Sequence, residues 1–211
     1  MTNSDCFDSE IADLRQDVPE LVLASASPRR LELLQQIGVT CSVRPVDIPE
    51  VVQPGESPQA FVERLAREKA CAGLTVAAEG VVVLGADTVV VSNEQILGKP
   101  ANRDEALAML QQLSGSKHRV MTAVAVTNRE RILTQVVTTE VQFRTLSQAE
   151  CECYWDTGEP CDKAGAYGIQ GLGAVFVASI NGSYSAVVGL PLAETAALLD
   201  RFGIPVWQVG C

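Results

Sequence analysis

Short apolar runs alternate along the chain with segments whose apolar residues recur at helical spacing. Residues 21–24 form an apolar run that predicts a strand, and apolar side chains then recur every three positions as far as Gly38, which predicts a helix. Residues 81–84 and 89–91 are β-branched runs typical of a strand that is buried on both faces. The first part of the chain therefore reads as strand, helix and strand.

Polar residues mark the starts of four predicted helices. An N-cap side chain accepts hydrogen bonds from the first free backbone N–H groups, and proline fits the first helical turn. A Glu three residues after the cap completes a capping box. The four starts are Ser27-Pro28, Ser57-Pro58, Asn102 with Glu105, and Ser147 with Glu150.

Two pairs of β-rich runs predict antiparallel hairpins. The pairs are residues 119–127 with 131–144, and residues 174–180 with 184–188 around Asn181-Gly182-Ser183. The other predicted elements are strands at residues 41–46 and 95–97 and a last helix at residues 190–202. This order predicts an α/β fold with a mixed sheet flanked by helices, parallel at the helical crossovers and antiparallel at the hairpins.

Length and composition fit one domain with an acidic extension. The chain has 211 residues, 47% of them apolar and 20% charged, which is ordinary for a globular protein. The first twenty residues carry six acidic residues and one basic residue, so half of the net charge of −10 lies there. We expect residues 1–20 to be a flexible extension and residues 21–211 to be a single domain.

Charge and cysteine content restrict the partners and the location. A net charge of −10 repels a phosphate backbone and an anionic lipid surface, so we expect neither nucleic acid nor membrane as a partner. Residues 164–193 are uncharged, but their six glycines predict strands and turns rather than a membrane span. No signal peptide is recognisable, and seven scattered cysteines suit reduced thiols in the cytoplasm.

Common catalytic and metal-binding motifs are missing from the sequence. There is no Walker A, His-Glu-x-x-His or Gly-x-Gly-x-x-Gly motif. His118 is the only histidine and lies in a predicted hairpin strand, where we expect a structural role. Cys151, Cys153 and Cys161 suggest a metal site, but spare thiols fit them better because no second close cysteine pair exists.

The segment Ser25-Ala26-Ser27-Pro28-Arg29-Arg30 lies between a predicted buried strand and a helix N-terminus. Backbone N–H groups, the positive end of the helix dipole, two hydroxyls and two guanidinium groups would converge there, which suits a phosphate. The alternative is a capped helix whose arginines are solvated. The spacing alone leaves both interpretations open.

A second candidate is Asp87, an acid that interrupts an apolar strand in Gly85-Ala86-Asp87-Thr88. A buried carboxylate is costly unless it is paired, hydrogen-bonded or bound to a cation. Magnesium, a water that Asp87 deprotonates, or a basic side chain such as Lys69 or Lys99 would each supply a partner. The alternative is a structural carboxylate that holds a turn.

A third candidate is the glycine-rich segment at residues 162–173. Its glycines allow close approach of the backbone to a ligand, and Gln170 is able to contact a base edge through its amide. The alternative is a bend between strands that serves only the geometry of the chain.

Five motifs in this order resemble those of the Maf family of nucleoside triphosphate pyrophosphatases. They are Leu23-Ala24-Ser25-Ala26-Ser27-Pro28-Arg29-Arg30, Arg64-Leu65-Ala66-Arg67-Glu68-Lys69-Ala70, Gly85-Ala86-Asp87-Thr88, Gly98-Lys99-Pro100 and Asp162-Lys163-Ala164-Gly165-Ala166-Tyr167-Gly168-Ile169-Gln170-Gly171. The resemblance covers residues 21–203. It implies a fold similar to that of the inosine triphosphate pyrophosphatases, with two lobes around a cleft, and a homodimer.

The resemblance also implies a reaction. Water attacks the α-phosphate of a nucleoside triphosphate, and the monophosphate and pyrophosphate are released with the help of Mg²⁺ or Mn²⁺. Asp87 matches the general base of the family, and Glu50 matches an acid near the metal, so both are candidate metal ligands. The positions that hold the phosphates are matched by Ser27, Arg30, Lys69 and Lys99.

Three positions that differ between family subgroups carry Arg29, Thr88 and Gln170. They resemble the dTTP/UTP pyrophosphatase subgroup, whereas the 7-methyl-GTP subgroup carries Trp, Gln and Glu there. The resemblance predicts a house-cleaning hydrolase of nucleotide metabolism that acts on dTTP and UTP, and on modified pyrimidine nucleotides. The alternatives are a nucleotide-binding regulator of septum formation and cell division, which has no need of Asp87, and a 7-methyl-GTP pyrophosphatase.

Overall fold

The computed structural model describes residues 18–207, and a mixed β-sheet forms its centre. The strands are β1 (Leu21–Leu23), β2 (Ser42–Val43), β3 (Val82–Ser92), β4 (Gln95–Leu97), β5 (Lys117–Thr127), β6 (Ile132–Phe143) and β7 (Val177–Asn181). Their order is β2-β1-β3-β5-β6-β7, with β4 also paired to β3. The pairs of β1 with β2 and β3 are parallel and the others are antiparallel, which confirms the predicted α/β fold.

Helices cover both faces of this sheet. They are α1 (Pro28–Gln36), α2 (Pro58–Thr75), α3 (Arg103–Leu113), α4 (Gln148–Asp156), α5 (Tyr184–Val188) and α6 (Leu192–Arg201). On one face, α2 packs its apolar side against Val89 and Met121. On the other face, α1, α3, α4 and α6 contribute to a larger core that includes Ala86 and Val124. None of the helices within residues 18–207 is both long and apolar enough to cross a membrane.

The predicted helix starts are confirmed, with one difference in how they are capped. Ser57, Asn102 and Ser147 each accept a hydrogen bond from the backbone three residues ahead, and Ser147 forms the full capping box with Glu150. Ser27 occupies the N-cap position of α1, but its side chain makes no capping hydrogen bond. The hydroxyl of Ser27 therefore stays available for a ligand.

The second predicted hairpin is wrong. Residues 177–181 do form β7, but residues 184–188 form α5 instead of a returning strand. The Ser183 hydroxyl accepts a hydrogen bond from the Ala186 N–H, which starts a helix, and Gly189 ends it with a φ of 133°. The uncharged segment before β7 consists of short 3₁₀ turns, Ala164–Ala166 and Leu172–Phe176, so the strand expected from residue 174 begins only at Val177.

The middle of β3 is where the fold leaves room for a ligand. Residues 82–84 of β3 pair with β1, and residues 90–92 pair with β4 on the same edge. Between them, residues 85–89 have no strand on that edge within the described part of the chain. The 11 residues of β3 run without interruption through Asp87, so this acid lies in the strand itself rather than at a break in it.

The predicted N-terminal extension lies mostly outside the described residues, as do residues 208–211. Its last residue, Glu20, already belongs to the sheet, because its carbonyl accepts a hydrogen bond from the Val82 N–H at 2.9 Å. The boundary of the domain remains a prediction, and so does its division from a flexible extension.

Candidate active site

A cavity of about 700 Å³ opens beside the unpaired middle of β3, within the range of roughly 300–1,000 Å³ that is common for ligand sites. All nine candidate residues from the sequence line it. They are Ser27, Arg29, Arg30, Glu50, Lys69, Asp87, Thr88, Lys99 and Gln170. The chain brings them from α1, α2, β3 and three loops to one place.

Arg30 is held by three hydrogen bonds from different sides. Its Nε donates to the Gly189 carbonyl at 2.9 Å, one terminal nitrogen to the Ser25 hydroxyl at 3.0 Å, and the other to Thr88 Oγ1 at 3.3 Å. A guanidinium has five N–H donors, so two remain for a ligand. Removal from water lowers the pKa of Arg30, which the nearby charge of Asp87 opposes.

Thr88 connects Arg30 to a buried hydroxyl on the next strand. Thr88 and Thr122 are opposite each other in the pairing of β3 with β5, and their Oγ1 atoms lie 3.0 Å apart. Thr122 donates its single hydroxyl hydrogen to the Ala186 carbonyl at 2.7 Å, so Thr88 must be the donor to Thr122. The Thr88 hydroxyl therefore accepts from Arg30 and donates to Thr122, which fixes the orientation of the guanidinium.

Arg29 lies beside Arg30 on α1 and faces a different group. Its guanidinium forms an ion pair with Asp162 at 3.7 Å. Of the two interpretations left open, solvated arginines do not describe Arg30, which is bound by three hydrogen bonds, whereas Arg29 is paired but partly exposed.

The partner of Asp87 is Lys69. The Lys69 Nζ lies 2.6 Å from Asp87 Oδ1 and 2.6 Å from Glu50 Oε1, so one ammonium bridges two carboxylates. Asp87 and Lys69 are 6% and 8% exposed. From the sequence, the partner of Asp87 is expected to be magnesium, a water or a basic side chain such as Lys69 or Lys99. In the structure the partner is a basic side chain, that of Lys69.

Gly85 explains how Lys69 reaches Asp87. Residues two apart in a strand point to the same face, so Gly85 and Asp87 both face α2. A Cβ at Gly85 would lie 2.5 Å from the Ala66 carbonyl oxygen and 2.5 Å from the Ala70 nitrogen. The missing side chain lets the backbone of α2 rest on the strand, and this contact places Lys69 beside Asp87.

The two carboxylates have opposite pKa shifts. Burial raises the pKa of Asp87, although the charges of Lys69 and Arg30 oppose this effect. Burial would also raise the pKa of Glu50, but its hydrogen bond from Lys69 and the charges of Lys69, Lys99 and Arg30 together lower it. The raised pKa makes Asp87 a better proton acceptor than an aspartate in water, which is the direction that a general base requires.

Lys99 extends the cationic side of the cavity. It follows β4, its side chain is exposed, and it makes neither an ion pair nor a hydrogen bond with other residues of the described chain. An unpaired ammonium at a ligand cavity is free to bind an anionic group.

The glycine-rich segment serves contacts within the protein itself. A Cβ at Gly171 would lie 2.2 Å from Glu159 Oε2, and one at Gly173 would lie 2.6 Å from the Tyr154 hydroxyl oxygen. The glycines therefore let the backbone pack around Glu159 and Tyr154. Sequence reasoning missed both residues; the available signal was the Gly158-Glu159 pair just before the motif.

His118 and the cysteines within residues 18–207 lie outside the cavity lining. His118 is 3% exposed, its Nε2 lies 2.9 Å from the Tyr167 hydroxyl, and burial lowers its pKa to about 4. The described cysteines are free thiols. Within residues 18–207, no group of three or more His, Cys, Asp or Glu side chains is arranged to hold a metal by itself.

Fold and site together define a class: an α/β protein with a cation-lined cleft that also holds a buried carboxylate. The family model described as "Maf-like protein" matches residues 20–202. The chain belongs to the Maf family.

Curated relatives agree with the subgroup that the three variable positions predict. The chain is 55% identical over 192 residues to the dTTP/UTP pyrophosphatase of Saccharophagus degradans, covering 90% of this chain and 91% of the relative. It is 55% identical over 185 residues to the protein of that name from Vibrio cholerae, covering 88% and 99%. A Pseudoalteromonas atlantica relative with the same name is 54% identical over 187 residues, covering 87% and 97%.

Solved structures give a weaker similarity. The Ham1 protein of Staphylococcus aureus matches with a TM-score of 0.42 and 13% identity over 59% of this chain and 71% of that one. A nucleoside-triphosphatase described as a dITP/XTP pyrophosphatase, from Mycobacterium abscessus, matches with a TM-score of 0.43 and 16% identity over 86% and 94%.

Proposed function

We propose that this protein hydrolyses dTTP and UTP to the nucleoside monophosphate and pyrophosphate. The proposal rests on one observation, that the same cavity is lined by Asp87 and by the cationic side chains of Lys69, Arg30 and Lys99. A buried proton acceptor surrounded by cations suits water attack on a phosphate. The names of relatives that are 54–55% identical support the choice of substrates.

The triphosphate is bound by fixed cations. Arg30 offers two N–H donors whose direction is set by its three protein contacts. Lys69 has one of its three hydrogens left after bonding Asp87 and Glu50, and Lys99 has all three. The Ser27 hydroxyl and the N-terminus of α1 add neutral donors and a positive partial charge.

Asp87 takes a proton from the attacking water. The water oxygen forms a bond to the α-phosphorus while the bond from that phosphorus to the bridging oxygen breaks. Pyrophosphate leaves with the electron pair of the broken bond, and the proton stays on the Asp87 carboxyl group. Lys69 and Arg30 stabilise the negative charge on the phosphoryl oxygens.

Glu50 and Asp87 also fit a divalent cation, Mg²⁺ or Mn²⁺. Each carboxylate gives one oxygen to the Lys69 ammonium at 2.6 Å, and its second oxygen makes no hydrogen bond within residues 18–207, so these second oxygens would hold the ion. Mg²⁺ is commonly bound through one or two carboxylates and substrate phosphates. When bound, the cation supplies positive charge to the phosphate oxygens.

The finer properties of this protein are part of the proposal as well. Arg29, Thr88 and Gln170 are the specificity residues, and modified pyrimidine nucleotides are further substrates. We also propose a homodimer in the cytoplasm, with no nucleic acid or membrane as partner. The free thiols among the described residues support a reducing compartment.

The experiment is a panel of nucleotides with the purified full-length chain. We expect dTTP and UTP, with Mg²⁺ or Mn²⁺, to yield monophosphate and pyrophosphate faster than CTP, dCTP, GTP and 7-methyl-GTP do. Monophosphate and pyrophosphate are measured separately, since release of orthophosphate would indicate a different bond. Nucleotide binding without turnover of any nucleotide would contradict the proposal and favour the regulator.

A further inference from the structure

Gln170 is carried by a loop that two side chains hold from both ends. We define the Gln170 loop as residues 168–173. At its first residue, the Gly168 N–H donates to the Tyr154 hydroxyl at 3.0 Å. At its other end, the N–H groups of Leu172 and Gly173 donate to Glu159, at 2.8 Å to Oε2 and 3.1 Å to Oε1.

The two holding side chains are joined to each other. The Tyr154 hydroxyl donates to Glu159 Oε1 at 2.7 Å, so the carboxylate accepts three hydrogen bonds in total. Burial would raise the pKa of Glu159, but the hydrogen bonds from Tyr154 and the two loop N–H groups lower it. The ionised form is therefore the one that the loop favours.

This pair is anchored in the rigid core. Tyr154 lies in α4, is 5% exposed and packs edge-to-face on Phe176 at a ring distance of 4.9 Å. Glu159 follows the turn at Gly158, whose φ is 77°. The Lys163 ammonium also donates to the Glu159 carbonyl at 2.7 Å. Each end of the Gln170 loop is thus tied to a fixed point.

Gln170 itself has no such support. Its side chain is exposed at the cavity and forms no hydrogen bond with the rest of residues 18–207. An amide presents a C=O acceptor on one side and an NH₂ donor on the other. Uracil and thymine present an N–H beside a carbonyl, while cytosine presents a ring nitrogen beside an amino group. An amide that turns about its side-chain bond is able to offer either group, so its contribution to base selection depends on whether the loop backbone places it within reach of the base edge.

We propose that Glu159 is a positioning residue for nucleobase selection: with Tyr154 it fixes the backbone of the Gln170 loop, so that the amide reaches the edge of a bound uracil or thymine from one fixed position. The inference rests on the proposed function, because it takes Gln170 to contact the base. Glu159 acts through the loop and needs no contact with the reacting phosphate.

The test compares UTP with CTP, which differ only at the base edge. The substitution Glu159→Gln replaces one carboxylate oxygen by an NH₂ group. This group then faces a hydrogen-bond donor, either a loop N–H or the Tyr154 hydroxyl, instead of accepting from it. We expect the ratio of kcat/KM for UTP over CTP to fall by about tenfold, through a higher KM for UTP, because a displaced loop weakens the contact of Gln170 with the preferred base. The kcat for UTP should stay within about twofold, because Asp87 and the phosphate-binding cations are unchanged.

Glu150→Gln is the matched control. Glu150, in α4, is likewise a carboxylate that accepts from a backbone N–H, that of Ser147 at 2.8 Å, and from a side chain, Arg144 at 2.7 Å, and it is not part of the cavity lining. We expect this variant to keep the UTP/CTP ratio. If Glu159→Gln does not fold, Tyr154→Phe removes a single oxygen from the same pair and should lower the ratio in the same direction.

The outcomes separate this inference from the proposed function. An unchanged UTP/CTP ratio in folded Glu159→Gln, or equal losses with both nucleotides, would overturn the positioning role while leaving the hydrolase intact. If the wild-type chain hydrolyses neither nucleotide, the proposed function fails. The same variants are then compared by their Kd for UTP and CTP, where a ratio that stays at the wild-type value again overturns the inference.

Discussion

At the scale of single residues, hydrogen bonds and ion pairs hold the main side chains of the site in fixed positions. Asp87 is buried and paired, so its carboxylate keeps one position, and burial raises its pKa toward that of a useful base. Arg30 is fixed by three acceptors, two of which are hydroxyls. Such fixed groups need no rearrangement when charge develops on a phosphate.

The Asp87→Asn variant tests the base. Asparagine keeps the shape of the side chain but accepts no proton at neutral pH, so we expect turnover of dTTP to fall at least about a hundredfold. Pyrophosphate release measures the rate, and nucleotide binding with circular dichroism shows that the variant is folded. Turnover within tenfold of the wild type would remove Asp87 from the role of base.

Substitutions at Thr122 test whether the hydrogen bond from Thr88 to Thr122 holds Arg30 in position. It is fully buried, and Thr122→Val has nearly the same shape but leaves Thr88 without its acceptor. We expect KM for dTTP to rise roughly fivefold, which corresponds to one hydrogen bond of about 1 kcal/mol. Thr122→Ser keeps the hydroxyl and should stay near the wild-type KM. Equal KM values in both variants would mean that the relay does not position Arg30.

At the scale of elements, the contact between α2 and β3 builds the site. The helix supplies Lys69 and the strand supplies Asp87, and the two backbones meet at Gly85. Thr88 is the next residue of this strand, and because side chains alternate along a strand, it points to the opposite face of the sheet. There it contacts the Thr122 side chain of β5, which bonds to α5. One strand therefore carries Asp87, the proposed base, and holds Arg30, the proposed phosphate-binding residue, through Thr88.

Gly85→Ala tests that contact. A Cβ there would approach backbone atoms of α2 to 2.5 Å, and α2 must move away. We expect a loss of about 1–3 kcal/mol in the free energy of unfolding, the usual cost of overpacking, together with lower turnover. Urea denaturation provides the measurement. Gly98→Ala is the control, since a Cβ at Gly98 would meet nothing within 4 Å; an equal loss in both variants would contradict this explanation.

At the scale of the whole molecule, the buried imidazole of His118 makes stability depend on pH. His118 is buried against Phe143 and Tyr167, its Nδ1 has no hydrogen-bond partner among the described residues, and burial lowers its pKa from 6.5 to about 4. Between these values the unfolded chain binds a proton that the folded chain does not. Stability is therefore complete above pH 6.5 and is lost as the pH falls toward 4.

The expected size of this loss is about 3 kcal/mol in the free energy of unfolding. Urea titrations at several pH values between 4.5 and 7.5 measure it. Glu56 and Glu150, whose pKa values are lowered to about 2 by their hydrogen bonds with Arg64 and Arg144, add their own loss only below about pH 4.5. His118→Phe should flatten the dependence between pH 6.5 and 4.5; an unchanged slope would show that another group causes it.

Local signals predicted much of the fold. The capping residues Ser57, Asn102 and Ser147 act as their sequence context suggests, because a cap depends on residues within three positions. Residues 184–188 show where prediction from neighbouring residues alone fails. Their apolar, β-branched composition favours a strand, but the Ser183 cap and the packing of Ala186 and Val188 in the core make them helical.

The sequence by itself determined the α/β class, the family resemblance and the residue types of the site, since periodicity, caps and motifs are written in neighbouring positions. Only the tertiary structure decided that Lys69, rather than Lys99, is the partner of Asp87, that Thr122 orients Thr88, and that Glu159 holds the Gln170 loop. These contacts join residues from separate elements or loops. They depend on how closely backbones pack, as at Gly85 and Gly171, and no local pattern encodes that distance.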